Sequence, residues 1–326
     1  MTVLGIDTSN YTTSLSLADE NGFVHVRKIL DVKMGECGLR QSDALFLHTV
    51  NLPELFGELF EKYFVERGSR AKIDAVSYSE RPRDVEGSYM PCFLAGKSAA
   101  FACANTAGVP VMSFSHQAGH IMAAVKSIEC DIGDEFLALH LSGGTTELLH
   151  VLRDDDIGFS CEIVCCTADI SAGQMIDRAG VMLGLKFPCG AELEKLAASI
   201  GNSDGIKGMK ISMKDGKCNL SGAENRVRTL VESGEDKGKI AYFILDFAAR
   251  NVISLVNYAR KKYPALPVLF AGGVMRNKII KKKISENIGN VFFASEELSS
   301  DNSVGTAYLG LEKLKREGGT LRKEKL

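Results

Sequence analysis

Glu135-Phe136-Leu137-Ala138-Leu139-His140-Leu141 is an apolar run that stops abruptly in Ser142-Gly143-Gly144-Thr145-Thr146. A strand covered on both faces reads as a near-continuous apolar stretch, and a Gly/Ser/Thr turn ends it. Residues 147–152 lead away as a second strand, and residues 162–166 form a third. The amino-terminal segment repeats this plan. Residues 3–6 are apolar and end in Asp7-Thr8-Ser9-Asn10, residues 12–18 alternate polar and apolar, and residues 23–29 follow Glu20-Asn21-Gly22. A buried strand, a polar turn and two further strands, met once near Val3 and again near Glu135, read as a duplicated lobe.

Helical periodicity surrounds both segments. It predicts helices over 42–67 (broken or restarted at Pro53), 93–104, 116–125, 171–183, 191–200, 239–262, 276–286 and 303–315. Short strands are predicted at 75–78, 109–112, 268–270 and 291–294. Residues 201–217, rich in Gly, Ser and Lys, read as a loop or small excursion. The alternation marks an α/β chain.

The chain has 326 residues, which at about 150 per domain suggests two domains. It holds 39 basic and 41 acidic residues, a net charge of −2. No global charge therefore draws it to nucleic acid or membrane, and a polyanion must meet a local patch. Apolar residues are 45% and charged residues 25%, which excludes disordered and collagen-like classes. Nine cysteines form no Cys-x-x-Cys pair, and several sit in apolar runs such as Cys161-Glu-Ile-Val-Cys165-Cys166. They read as reduced, mostly buried thiols of a cytoplasmic protein. The start, Met1-Thr-Val-Leu-Gly-Ile-Asp7, reads as a strand and not a signal peptide, and no run is expected to reach the length of a membrane span.

Four stretches carry candidate chemistry. In Ser115-His116-Gln117-Ala-Gly-His120, two histidines at i and i+4 share one helical face and suit a metal ion. The plain alternative is one core and one surface histidine, and Gln117 stands where a zinc protease needs its glutamate. In Ser142–Thr146 the glycines let backbone N–H groups approach a phosphate, although a hairpin turn would use them as well. Asp7-Thr8-Ser9 is a possible second phosphate turn, and two such turns facing each other would clamp one polyphosphate. Ala271-Gly272-Gly273-Val-Met-Arg-Asn277 runs from a strand into a helix start, where free N–H groups suit a nucleotide. Asp301-Asn302 precedes the last helix and fits an N-cap, a metal ligand or both. Gly96-Lys97-Ser98 imitates a Walker loop, but Pro91 occupies the first glycine position.

Taken in order, Leu4-Gly-Ile-Asp-Thr-Ser9, His116-x-x-x-His120, Leu141-Ser-Gly-Gly-x-Thr146, Ala172-Gly-x-x-x-Asp177, Leu183-Gly-Leu-x-x-Pro-x-Gly190, Leu220-Ser-Gly222, Ala271-Gly-Gly-Val-x-x-Asn277 and Asp301-Asn302 resemble the TsaD/Gcp family over nearly the whole chain. These are the tRNA threonylcarbamoyltransferases once called O-sialoglycoprotein endopeptidases. The resemblance implies the actin-like, sugar-kinase-like ATPase fold, with two repeated lobes of mixed sheets flanked by helices. One lobe would span 1–133, with the last helix, 302–316, returning to it, and the other 134–301. The resemblance also implies transfer of threonylcarbamoyl from its adenylate to the adenosine beside the tRNA anticodon. His116, His120 and Asp301 would hold one divalent metal, iron or zinc. His140, Leu141, Ser142, Gly143, Gly144, Asp177, Gly190 and Asn277 would hold the adenine nucleotide or acyl-adenylate. No catalytic residue is assigned by it. The implied partners are tRNA and the other proteins of the threonylcarbamoyladenosine pathway, with no membrane.

Several positions depart from the family pattern. Asn10-Tyr11-Thr12-Thr13 replaces Cys-Asp-Glu-Thr, Thr145 replaces a histidine, residues 79–88 replace a Gly-Pro-Gly loop, and Cys189 replaces a glycine. Two alternatives therefore accompany the main expectation. One is a carbamoyl-type transferase with a different acceptor; the other is a non-catalytic nucleotide- and metal-binding partner of the modification enzyme. For an RNA acceptor, the lysines at 207, 210, 214 and 217 or at 278 and 281–283 supply local positive charge, though each run also reads as solvated surface.

Overall fold

The computed structural model describes residues 1–9, 11–31, 39–202, 204–299 and 302–323, with side chains to 318. In chain order the elements are β1 (Val3–Asp7), β2 (Thr12–Asp19), β3 (Gly22–Ile29), α1 (Gln41–Arg67), β4 (Ala75–Arg81), α2 (Phe93–Ala107), β5 (Val111–Ser115) and α3 (His116–Lys126). There follow β6 (Glu135–Leu141), β7 (Thr146–Asp154), β8 (Gly158–Thr167), α4 (Ala172–Met182), α5 (Gly190–Ile200), β9 (Met213–Lys214), β10 (Lys217–Cys218), α6 (Gly222–Glu232) and α7 (Lys237–Ala259). The chain continues through β11 (Val268–Ala271), a 3-10 turn at Gly273–Arg276, α8 (Lys278–Asn287), β12 (Val291–Phe293) and α9 (Val304–Lys323).

Two compact units form. The first comprises Met1–Glu129, Arg153–Ser160 and Glu297–Leu326; the second comprises Cys130–Leu152 and Cys161–Glu296. Their sheets share one plan. In the first the strand order is β3-β2-β1-β4-β5, with β1 antiparallel to β2 and parallel to β4, and β4 parallel to β5. In the second it is β12-β11-β6-β7-β8-β10-β9, with β6 antiparallel to β7 and parallel to β11, and β11 parallel to β12. Thus β6 repeats β1, the outgoing β7 repeats β2, and β11 and β12 repeat β4 and β5. The β9–β10 hairpin is an addition at the edge of the second sheet, beside β8.

Beneath the first sheet, Leu4, Ile6, Leu15, Leu17 and Val76 pack against Leu52, Leu55 and Leu59 of α1. Pro53 does not break α1. It removes one backbone donor, but the inward face from Ala44 to Tyr63 runs through it. Burial of these side chains, worth about 1.5–3 kcal/mol for each large apolar one, outweighs the loss. The helix stops at Gly68, whose left-handed backbone is easy only without a Cβ. The Gly68 N–H closes on the Phe64 carbonyl.

Helix α9 lies along β1, β4 and α3 at backbone distance, through small residues. A Cβ on Gly5 would stand 2.6 Å from the Ser303 carbonyl oxygen, and one on Gly310 would stand 2.9 Å from Ser77 Oγ. A Cβ on Gly305 would meet the backbone of Gly119 and Ala123. Ser77 Oγ donates to the Thr306 carbonyl at 2.7 Å, and Ser303 N donates to Ser14 Oγ at 3.0 Å.

In the second unit α7 is the core helix, burying Ile240, Phe243, Ile244, Phe247, Val252, Leu255 and Val256 against the sheet and its flanking helices. The expectation that no run reaches membrane-span length is corrected here: α7 has 23 residues with a mean hydropathy of 1.3 over its most apolar stretch, two thirds of which is buried in protein. A core helix covered on all sides is apolar all round, so sequence alone does not separate it from a span. Helix α4 opens with a reciprocal cap, Ser171 accepting from Gln174 N while the Gln174 side chain accepts from Ser171 N.

Candidate functional sites

In each unit the candidate residues gather where the central parallel strands end. This is where open α/β sheets leave backbone groups unspent and loops free to diverge.

In the first unit β1 ends at Asp7, β4 runs through Ser79, and β5 delivers His116 at the start of α3. Ser115 caps α3 by accepting from Ala118 N, which fixes the first turn. His116 Nδ1 lies 2.7 Å from Asp7 Oδ2, and His116 Nε2 lies 3.3 Å from Ser9 Oγ. Asp7 also accepts from Ser9 N and from Ser79 Oγ, both at 2.8 Å. Ser79 Oγ is 3.2 Å from Thr306 Oγ1 of α9. One turn beyond His116, His120 presents its ring edge-on to it, centroids 4.3 Å apart. Asp7 is 1% exposed and His116 8%. Burial works against ionisation of the Asp7 carboxyl. The charge of His116 and hydrogen bonds from His116 and Ser9 outweigh it, and the carboxyl is held well below its usual range.

Asp7, Thr8 and Ser9 are all buried in protein. Thr8 Oγ1 donates to the Cys92 carbonyl and accepts from Gly96 N, tying the turn to the start of α2. Asp7 therefore enters the site as the partner of His116. Asp301 lies outside the described residues, as does Asn10. Among the described residues no three His, Cys, Asp or Glu side chains are grouped to hold a metal. The two imidazoles on one face of α3, one of them backed by a buried carboxylate, nonetheless form a donor set that suits a divalent transition metal.

In the second unit the turn after β6 folds onto the first residues of α4. Ser142 N donates to the Thr145 carbonyl at 2.9 Å, while Gly144 N and Thr145 N converge on Ser142 Oγ at 3.3 and 3.1 Å. Two adjacent N–H groups aimed at one oxygen form the arrangement that receives an anionic oxygen. Ser171 Oγ donates to the Gly143 carbonyl, and Ala172 N donates to Thr146 Oγ1. A Cβ on Gly173 would stand 2.7 Å from Gly143 Cα, so only glycine lets the helix start meet the turn. His140 and Leu141 are the last residues of β6, and Ala271 pairs with His140 across the parallel ladder. Gly272, at φ 101°, passes so close to the backbone of Leu141 that any side chain would collide with it. Glycine alone takes both the angle and the approach without strain. Asn277 caps α8 by accepting from Ile280 N.

Asp177 stands on α4 about 8 Å along the helix from its start, at about 1.5 Å per residue. Its Oδ1 accepts from Cys189 N at 2.8 Å, which holds the turn leading into Gly190 and α5. Cys189 is buried against Gly180, whose missing side chain makes room for it, and burial raises its thiol pKa. The eight described cysteines form no disulfide; Cys92, Cys165, Cys189 and Cys218 are buried, Cys103, Cys161 and Cys166 are half-buried, and Cys130 is exposed.

Sequence reasoning missed Ser79 and Thr306. Ser79 is 72 residues from Asp7 and becomes its neighbour only because β4 pairs in parallel with β1. The available signal was positional: polar residues at the carboxyl ends of adjacent parallel strands converge.

A duplicated β-sheet plan with polar turns at the ends of its central strands defines the actin-like, sugar-kinase-like ATPase fold. HypF of T. kodakarensis superposes with a TM-score of 0.60 at 15% identity, over 97% of this chain and 47% of that one. The ROK family glucokinase of Streptomyces griseus does so with a TM-score of 0.53 at 12% identity, over 95% and 99%. The chain belongs to the TsaD family of tRNA N6-adenosine threonylcarbamoyltransferases, whose family model matches residues 38–308. It is 30% identical over 305 residues to the tRNA N6-adenosine threonylcarbamoyltransferase of Thermus thermophilus, covering 93% of this chain and 90% of that protein. It is 31% identical over 232 residues to that of Streptococcus pneumoniae, covering 69% and 67%.

Proposed function

We propose that this protein transfers the threonylcarbamoyl group of threonylcarbamoyl-adenylate to the adenosine beside the tRNA anticodon, with a divalent metal, iron or zinc, held by His116, His120 and Asp301. The observation that carries the reading is the Ser142–Thr145 turn, whose N–H groups converge on a single oxygen at the head of α4. In this role the turn receives the adenylate phosphate, the Ser142 hydroxyl giving way to a phosphate oxygen. Asp177, held in place by Cys189 N–H, accepts from the ribose hydroxyls. His140, Leu141, Gly190 and Asn277 complete the nucleotide's surroundings. When bound, the metal supplies Lewis-acid polarisation of a phosphate or carbamoyl oxygen. The protein works with the other proteins of the threonylcarbamoyladenosine pathway in a reducing, cytoplasmic setting that keeps its thiols free.

For tRNA the favoured contact is the stretch Lys207, Lys210, Lys214 and Lys217. All four are exposed, and none pairs with a carboxylate among the described residues. Three of the four lysines of α8 are engaged locally: Lys283 pairs with Asp246, Lys282 with Glu286, and Lys281 lies over the Phe293 ring.

The test is mass spectrometry of nucleosides from tRNA incubated with the protein, its pathway partners, threonine, bicarbonate, ATP and the adenylate-forming enzyme. Threonylcarbamoyladenosine should appear; none, with partners proven competent, would rule the activity out. A second reading, transfer of a carbamoyl-type group to another acceptor, draws on the loop that follows Ser79. There Arg81 forks onto Asp84 and reaches Glu80, which Lys97 also binds, so a fixed charge network occupies the Gly-Pro-Gly position. Turnover of the adenylate without tRNA product favours that reading.

A further inference from the structure

We infer that Asp7 is the positioning carboxylate of the histidine pair: it accepts the Nδ1 proton of His116 and so commits Nε2 of that ring to the metal. The inference rests on the proposed metal-binding role of His116. A neutral imidazole offers one nitrogen as donor and the other as ligand, and a carboxylate on the first decides which is which. The 2.7 Å contact from His116 Nδ1 to Asp7 Oδ2 makes that choice here. Asp7 has no freedom to make another. It is buried, Ser9 N holds its Oδ1, and Ser79 Oγ holds the same Oδ2 that meets His116. The strand plan explains the rigidity: Asp7 closes β1, Ser79 lies near the end of the neighbouring parallel strand β4, and His116 follows β5. Three adjacent strand ends thereby fix one ring. The opposite nitrogen, Nε2, faces Ser9 Oγ at 3.3 Å. His120 reaches the same place by helical periodicity alone, since α3 turns it onto the His116 side.

The test uses the full-length chain and zinc. Affinity is measured by competition with a chelator for wild type, Asp7→Asn and Ser79→Ala. Asp7→Asn keeps the volume but removes the charge, and should bind zinc about 10–100-fold more weakly. Ser79→Ala removes one of the donors that hold Asp7 and should lie between the two. Wild-type affinity in Asp7→Asn overturns the inference while leaving the metal reading intact; a wild type that binds no zinc overturns both. Nitrogen-15 NMR of the imidazoles in zinc-loaded wild type requires no variant to fold. A protonated Nδ1 with zinc on Nε2 supports the assignment, and zinc on His116 Nδ1 refutes it.

Discussion

Replacing Gly305 by alanine should destabilise this protein, although the same change in most helices does the opposite. Gly→Ala gains about 1 kcal/mol of propensity in a helix interior, which is the most the change can gain at Gly305, the second residue of α9. Here the new Cβ would stand 2.6 Å from Ala123 N and 2.8 Å from the Gly119 carbonyl carbon, with the Gly119 oxygen closer still. These are backbone atoms of α3, which cannot swing aside. Helix α9 must retreat by roughly 1 Å to restore ordinary contact at about 3.5 Å. Overpacking of this kind costs about 1–3 kcal/mol. The retreat also stretches the buried bonds from Ser77 Oγ to Thr306 O and from Ser303 N to Ser14 Oγ, at about 1 kcal/mol each. Set against the propensity gain, the net loss centres near ~3 kcal/mol, which for a domain of this size is a fall of roughly 6–12 °C in melting temperature. Gly57→Ala is the control: Gly57 is exposed in α1 with nothing within 4 Å, and its replacement should raise the melting temperature. Circular dichroism melts of the metal-free proteins decide the matter. A Gly305→Ala protein that melts within about 2 °C of wild type, or above it, refutes the close contact of α9 with α3.

Three further outcomes are expected. Gly272→Ala combines a φ of 101° with a Cβ placed 2.7 Å from the Leu141 carbonyl carbon. It should cost at least ~3 kcal/mol and weaken adenine-nucleotide binding in calorimetry, because Leu141 leads directly into Ser142. Burial, with neighbouring thiols and Asp169 adding to it, pushes Cys165 and Cys218 up to about 12. At about pH 8 a thiol reagent should therefore label exposed Cys130 and leave these two intact until the protein unfolds. The carboxyls of Asp7 and Asp169 lie below their unfolded value despite burial, Asp7 through His116 and Asp169 through the N–H groups of Leu220, Ser221 and Ile170. Their stabilisation is complete above the unfolded pKa of about 3.9 and is lost as pH falls through the lower folded values; urea midpoints should drop between about pH 5 and 2, less steeply in Asp7→Asn.

The duplicated strand plan was legible because buried strands and polar turns leave a local signature, and it led to the correct fold class. The His116–His120 spacing was legible for the same reason. Elsewhere the local pattern misled. Residues 276–286 read as one helix, yet Asn277 adopts extended backbone angles and caps α8, so the chain makes a 3-10 turn first and restarts. Residues 201–217 read as a loop or small excursion; the excursion is the β9–β10 hairpin, whose two-residue strands carry no periodicity that would have placed them. The bond from Asp7 to His116 spans 109 residues and depends on the order of three strands. No window along the chain contains that information, so the partnership of Asp7 with His116 could not be read from the Asp7-Thr8-Ser9 turn itself.

The glycine seam under α9 also sets a timetable. Glu129 and Glu297 belong to the same unit, yet nearly the whole of the second unit lies between them in sequence. At ordinary rates of synthesis a ribosome needs on the order of ten seconds or more to cross that gap. During that interval Gly119 and the backbone around it lack the helix that covers them, whereas the second unit is nearly continuous in sequence and can be completed first. His116 and His120 thus gain their final support among the last events of synthesis. A released chain truncated before Glu297 should therefore leave α3 accessible to protease while residues 161–296 already resist it.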